Sequence, residues 1–478
     1  MINSNIKVLL LKVILTIILI NTNVAYCQST KNTDTRPNIV FILTDDQRAD
    51  TIKKYMPVTY KEIFLKGTVF TNHFATTPIC GPSRISILTG LYTTEHGMLD
   101  NADQEKPSLN EYSIAKRLKD SGYYTGHVGK FHNTSDGKYS PNRKSEYNYW
   151  VAHRGGSARY TDLVINENGK FSRKRGFYVT EFWNRKALQF LDNAKKQHKP
   201  FFLTLSHNAP HSPALPDKAY EKRYNIREIK DVPSFLDIKD TGKPSWVNAQ
   251  KQYFISKKKQ LNKKKKNIKL FAGKQLATLM SIDDGVKKIV KKLKRLGLYE
   301  NTVLVFMSDN GLMWGEHCLQ SKNNTYEEAT RIPLAISYPK DRTLFPAKDV
   351  DEITANIDMA PTFADLAGIK KEDFENEVSG ISLLDVIKGN NLRDGILLQG
   401  SWNNSSLVYS GYHTKDYVYS ETGHTKFKEL YNIKLDPYEL LNLANEPKYS
   451  DVQNELQAKL YNELAIHDPQ ECHSKICR

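Results

Sequence analysis

Cysteine is scarce, with five in 478 residues, so the fold does not rest on a disulfide framework. Of the five, Cys472 and Cys477 lie close enough at the C-terminus to close a small local bridge, and Cys318 is left as an unpaired, buried thiol. No internal hydrophobic run reaches the roughly 18 residues that span a bilayer, which excludes an internal transmembrane helix. No internal repeat is present, so a solenoid is excluded too. Acidic charge is in deficit: 53 Asp and Glu against 69 Lys and Arg give a formal charge of +16. That imbalance favours an anionic partner, either nucleic acid or sulfated polysaccharide. Zinc-finger spacing and aromatic-rich RNA-binding signatures are both lacking, which argues against nucleic acid.

What remains is the composition of a soluble globular protein, 39% hydrophobic and 26% charged. A chain this long exceeds the roughly 250 to 300 residues of one growing core. It is expected to form a large α/β domain, a mostly parallel sheet flanked by helices, with a smaller α+β C-terminal subdomain. The expected boundaries are 1–27, 28–36 (a polar linker), 37–370 and 371–478. Lys7 and Lys12 flank and interrupt the apolar stretch Val8 to Ile20, and small polar residues lead to Cys27. This reads as a secretory signal peptide. The mature protein is then periplasmic or secreted, with Gln28 first and no transmembrane helix. Acylation of Cys27 in a lipoprotein is the alternative. The lysines at Lys257 to Lys259 and Lys263 to Lys266 read as a solvated, mobile loop.

Three runs have the continuous apolar, β-branched pattern of strands buried on both faces. They are Asn38 to Thr44, Phe201 to Leu205 and Thr302 to Met307, ending respectively at Asp45-Asp46, Ser206-His207 and Ser308-Asp309-Asn310-Gly311. Ligands of open α/β sheets bind beyond the carboxyl ends of the strands, so these polar residues should converge. Leu276 to Leu296 carries apolar residues at helical spacing with lysines opposite, and Asn356 to Ala367 supplies another helix. Short strands at Gly395 to Gln399, Tyr417 to Ser420 and Glu429 to Asn432, then a helix over Asp451 to Ile466, form the C-terminal part.

Cys80-Gly81-Pro82-Ser83-Arg84, running on to Leu88-Thr89-Gly90, has the Cys-x-Pro-Ser-Arg-x-x-x-Leu-Thr-Gly form of the type I sulfatases, which the chain closely resembles. The resemblance extends from Pro37 to the passage Leu430-Tyr431-Asn432, Asp436-Pro437, Glu439 and Asn442-Leu443-Ala444. It implies an alkaline-phosphatase-like fold, and conversion of Cys80 to formylglycine by a formylglycine-generating or sulfatase-maturing enzyme. The hydrated aldehyde then offers two geminal hydroxyls, one of which attacks the sulfur of a sulfate ester.

Hydrolysing such an ester requires cations around the sulfate oxygens. Asp45, Asp46, Asp309 and Asn310 match the family's metal ligands and, with an oxygen of modified Cys80, form an all-oxygen shell. A hard cation suits it, Ca²⁺ first and Mg²⁺ second. By the same resemblance Arg84, one helical turn beyond Cys80, orients and neutralises the nucleophile. Lys130 and His132 of Gly129-Lys130-Phe131-His132 bind sulfate and remove the proton that releases it. His211 of Pro210-His211-Ser212-Pro213 contacts the sulfate and the scissile oxygen, and is preferred to His207. Lys322 binds sulfate and helps protonate the leaving alcohol. Cys318 and Ser321 stand where the family often has glycine and aspartate, which leaves the shape of that loop open.

The expected activity is therefore removal of sulfate from a polysaccharide or oligosaccharide. A phosphodiesterase or phosphonate monoester hydrolase of the same superfamily, and an inactive basic polysaccharide-binding protein, are the rivals. Specificity residues are expected in two loop-like segments, Ser135 to Lys174 and Asp217 to Lys269.

Overall fold

At the centre lies Asn38–Asp45, a strand whose eight residues are all buried. The computed structural model describes residues 34–101, 113–132, 143, 145–156, 159–239, 242–370, 378–401 and 408–467. The expected signal peptide with Cys27, the linker up to residue 33, and Cys472 with Cys477 lie outside these residues.

Ten strands form the main sheet, in the order Asp349–Val350, Thr68–Phe70, Leu334–Ser337, Thr302–Ser308, Asn38–Asp45, Phe201–Pro210, Tyr124–Gly129, Tyr149–His153, Asp162–Glu167 and Lys170–Arg175. The five from Thr302–Ser308 to Tyr149–His153 are mutually parallel. Antiparallel pairs appear at both flanks, so the parallel core is set in a mixed sheet. Alternation along the central strand sends its side chains to opposite faces. Val40 and Ile42 pack with the helices Val179–Gln197 and Leu261–Arg295. On the other face Ile39, Phe41 and Leu43 join Phe363, Leu118 and Leu383 from three helices. Both faces are thus covered, as a parallel core requires.

Three elements differ from expectation for legible reasons. The strand Phe201–Pro210 continues past Leu205 because its polar residues find partners: Ser206 accepts from Arg84, while Asn208 pairs with His153 and Trp183. The long helix begins at Leu261, not Leu276, since Ile268 and Ala272 extend the buried stripe and lysine is a good helix former. The lysine run is accordingly no loop: Lys258–Gln260 is a 3₁₀ turn, and Lys263 to Lys266 lie in the first turns of the helix. The two segments expected as specificity loops also carry regular structure, namely the last three strands of the sheet order and the helix Ser245–Ser256.

Towards the C-terminus a four-stranded antiparallel sheet, Gly395–Ser401, Val408–Thr414, Tyr417–Thr422 and Phe427–Asn432, packs with the helix Ser450–His467. Its core is shared: Leu397, Tyr419, Leu430 and Leu460 cluster with Phe74, Met313 and Tyr326 from the preceding part of the chain. Among the described residues no helix is long and apolar enough to cross a membrane.

Candidate active site

The carboxyl ends of the parallel strands carry the acids. Asp45 ends the central strand, and Asp46 follows it at φ +67, a left-handed conformation that aspartate tolerates better than most residues. The turn aims both carboxylates into one space, and the Asp46 N–H donates to Asp309 Oδ1 at 3.1 Å, just beyond the neighbouring strand. Asn310 Nδ2 donates to Asp46 Oδ1 at 2.7 Å.

Cys80 is the first residue of the helix Cys80–Thr89 and is 1% exposed. Pro82 falls in the first turn, where its missing N–H leaves no hydrogen bond unmade, and Gly90 ends the helix in a left-handed conformation. Asn101 Oδ1 accepts from the Gly81 N–H at 2.8 Å and ties down that turn. The Cys80 Sγ lies 3.3 Å from Asp45 Oδ1 and 2.8 Å from Lys322 Nζ. Ligand atoms of Asp45, Asp46, Cys80 and His211 all lie within 4.8 Å of one another.

Cations enclose the acids. Lys130, fully buried, pairs with Asp45 Oδ2 at 2.7 Å. Its position follows from Gly129, whose φ of +116 and approach to the Ser206 carbonyl, where a Cβ would sit 1.8 Å from the oxygen, admit no side chain. Arg84 donates from Nε to Asp309 Oδ2 at 2.8 Å, and from Nη1 to the carbonyls of Lys130 and Phe131 and to Ser206 Oγ at 3.0, 3.3 and 2.6 Å. Its Nη2 is buried and has no partner among the described residues. Lys322 Nζ reaches Asp46 Oδ1 and lies 3.5 Å from Asn310 Oδ1. His211 Nε2 is 3.7 Å from Asp46 Oδ2, and its Nδ1 is fixed by the Ser212 carbonyl at 2.5 Å.

These neighbours set the ionisation. Burial would raise the Asp45 carboxyl, but Lys130, His211, Arg84 and Lys322 together hold it far below the usual range. At Asp309 burial prevails, reinforced by Asp45, and raises the carboxyl to about 6. Burial works against the charged form of His211, yet Asp45 and Asp46 outweigh it and raise the imidazole to about 9. Lys130 and Lys322 are raised in the same way, against burial, by Asp45 and by Asp46 respectively.

Asp45, Asp46, Cys80, Arg84, Lys130, His211, Asp309, Asn310 and Lys322 therefore share one cluster, buried except for the partly exposed His211 and Lys322. His132 sits at its back: its Nε2 is 3.5 Å from Arg143, which pairs with Glu146 at 2.9 Å, and among the described residues no hydrogen bond joins it to Cys80. His207 is buried, lowered by burial to about 3, and its ring nitrogens have no partner among the described residues, so it stands apart from the cluster. Asn101 and the Arg143–Glu146 pair have positioning roles that no sequence signal announced, whereas Ser206, expected at the crevice from its place after the apolar run, meets Arg84 there. Cys318 adopts φ +64, the conformation that glycine favours, and its buried thiol is pushed up to about 11 by burial.

The segment that carries Lys322 is fastened from the C-terminal sheet. Asn323 donates to the Ser401 carbonyl at 2.7 Å, Tyr326 Oη donates to Glu429 at 2.8 Å, and the Glu327 N–H donates to Glu439 at 2.9 Å.

A family model described as sulfatase matches residues 37–369, and one described as the C-terminal region of N-sulphoglucosamine sulphohydrolase matches 315–465. The chain is 26% identical to an N-acetylglucosamine-6-O-sulfatase of Bacteroides thetaiotaomicron, over 92% of this chain and 88% of that one. It is 30% identical to an extracellular sulfatase SULF-1 homolog of Drosophila melanogaster over 78% of its own length, and spans 33% of that larger protein. A solved structure of a protein in complex with its substrate, D-glucosamine-2-N,6-O-disulfate, superimposes with a TM-score of 0.74 at 25% identity, covering 92% of this chain and 100% of that one.

Proposed function

Because the chain belongs to the sulfatase family, we propose that the ester it hydrolyses is the sulfate ester of a polysaccharide or oligosaccharide. The observation that carries this reading is the cluster itself: three carboxylates and a carboxamide surround Cys80, with four basic side chains on the same space. A carbohydrate substrate is supported by the glucosamine-directed relatives and by the +16 charge, which attracts polyanions.

The donor set fits a divalent cation. Carboxylate and amide oxygens suit hard ions, and the Lys322 ammonium already rests on Asp46, Asn310 and Cys80 as a positive charge would. Asp45, Asp46, Asp309 and Asn310 would hold Ca²⁺, with Mg²⁺ second. When bound, the ion would draw charge from the sulfate oxygens, and formylglycine made from Cys80 by a maturing enzyme would supply the oxygen nucleophile.

The chain's own residues do the rest. Asp309 and three fixed acceptors lock Arg84, so Nη2, unpartnered among the described residues, is a rigid donor left for residue 80 or a sulfate oxygen. Lys130 and Lys322 neutralise the non-bridging oxygens from the closed and open sides of the pocket. Lys322 and His211 protonate the departing alcohol, and His132, oriented by Arg143, takes the proton whose removal frees sulfate. Export, with the N-terminal stretch as signal, fits an enzyme acting on extracellular glycans.

The test is turnover of an aryl sulfate and of a panel of sulfated oligosaccharides, together with the mass of the peptide around residue 80. Cys80→Ala should abolish turnover, and the parent should show an aldehyde at Cys80. Full turnover by Cys80→Ala, or an unmodified thiol in fully active protein, would refute the reading.

A further inference from the structure

From Gly242 to Ile282 the chain has no aspartate or glutamate and eleven lysines. Solvated helices usually intersperse both signs. Here nine of the lysines are gathered from Lys257, at the end of the helix Ser245–Ser256, through the 3₁₀ turn Lys258–Gln260 into the helix Leu261–Arg295 as far as Lys274. Lys257, Lys258, Lys259, Lys263, Lys266 and Lys274 are exposed, and among the described residues none has an ion-pair partner. Among the described residues two acids pair with this stretch, Asp231 with Lys265 and Lys269 and Asp237 with Lys251, and neither pairs with the six exposed lysines.

The arrangement works against the helix that carries it. Lys259 and Lys263 stand four apart, Lys263 and Lys266 three apart, and like charges at those spacings repel. No acid occupies the first turn of Leu261–Arg295, so the lysines also face the positive end of the helix dipole. Lys264 holds the ridge together: its Nζ lies 3.5 Å from the ring centre of Tyr253 and 4.7 Å from that of Phe254, joining the two helices into one surface. Tyr253 is itself 52% exposed. A polyanion laid along the ridge would relieve both repulsions together.

The helix that carries the ridge also reaches the catalytic cluster. Further along the same helix Gln275 donates to the Pro210 carbonyl at 2.9 Å, next to His211. From Lys266 to Gln275 the helix rises about 14 Å, at ~1.5 Å per residue. That rise is short on the scale of a polysaccharide chain.

We propose that this lysine ridge is a second, non-catalytic binding site for a sulfated polysaccharide, holding the polymer while the pocket removes sulfate from it. The proposal rests on the carbohydrate-sulfatase reading for its choice of occupant. Nucleic acid and anionic membranes are the occupants it rejects.

The test uses the full chain and a variant carrying Lys257→Gln, Lys258→Gln, Lys263→Gln and Lys266→Gln, all surface positions outside the catalytic cluster. Binding of labelled heparin, of a DNA duplex of matched charge and of phosphatidylserine vesicles is measured at stepped salt. The variant should bind heparin roughly tenfold more weakly, with a shallower salt dependence. The corresponding four Lys→Arg changes should restore binding, and aryl sulfate turnover should be equal in all three proteins. Unchanged heparin binding in the glutamine variant would overturn the proposal, as would duplex or vesicles outcompeting heparin on the parent. If heparin binding falls as expected but no protein hydrolyses any sulfate ester, the ridge stands and the catalytic reading fails.

Discussion

Replacing Arg84 by lysine keeps the charge and removes the fork, which isolates what geometry contributes to the site. The guanidinium serves Asp309 from Nε and three further acceptors from Nη1, at 2.6 to 3.3 Å. A single ammonium can reach the carboxylate or the carbonyl pair, not both. Two buried acceptors then lose a charged donor, and each such loss costs roughly 1–3 kcal/mol. The Ser206 hydroxyl can turn to another acceptor, so a net destabilisation of about 3 kcal/mol is expected. In a chain of this length the melting temperature should fall by about 4 °C, because the shift per kcal/mol shrinks with size. The same change removes the free Nη2, and loss of one preorganised donor lowers kcat by roughly 10²–10³. Differential scanning calorimetry and aryl sulfate kinetics read the two effects separately. A variant that melts within about 1 °C of the parent and keeps its kcat/KM would refute the account of Arg84 as a fixed donor.

Gly129→Ala should cost about 4 kcal/mol or prevent soluble expression, since the new Cβ meets the Ser206 carbonyl. Gly155→Ala, also at positive φ but with nothing within 4 Å, should cost only about 1 kcal/mol in chemical denaturation. His467 pairs with Glu95 at 2.9 Å and with Glu463 at 3.4 Å, and against burial these hydrogen bonds raise it to about 9 from 6.5. A raised histidine stabilises fully below pH 6.5 and loses that contribution as pH climbs through 9. His467→Gln should therefore lower stability at pH 6 by at most about 3 kcal/mol and by little at pH 10. Equal losses at both pH values would contradict this. Chelation of divalent ions should abolish sulfate ester turnover and lower the melting temperature, with Ca²⁺ restoring both better than Mg²⁺. Full activity in chelator would remove the metal from the account.

Most of the cluster was legible because strand ends and one dense motif announce it. Uninterrupted β-branched runs located the central strands, and the acids after them could only face the crevice. What stayed hidden depended on contacts far apart in sequence. Nothing near Ser206 says that Arg84 will claim its hydroxyl, so the strand was ended too early, at Leu205. Lysine runs carry no signal for helix against loop, because propensity favours helix while repulsion opposes it. Buried Ile268 and Ala272 decided the matter through packing. The edge strand Lys170–Arg175, exposed and rich in lysine and arginine, lacks alternation, and Asp162–Glu167 is ordered by pairing between it and Tyr149–His153. The strand Val408–Thr414 was missed for a related reason: Ser410, Gly411 and His413 interrupt its apolar residues, and its pairing with two neighbours supplies the order.

Since Asn323, Tyr326 and Glu327 are moored to Ser401, Glu429 and Glu439, the protein cannot be divided for engineering into a working front half and a dispensable tail. A fragment stopped near residue 370 would keep the motif around Cys80 but lose three of the hydrogen bonds that hold the segment after Lys322. Directed evolution has a matching opportunity, because exchanges in the four-stranded sheet reach the Lys322 segment without altering any residue of the catalytic cluster.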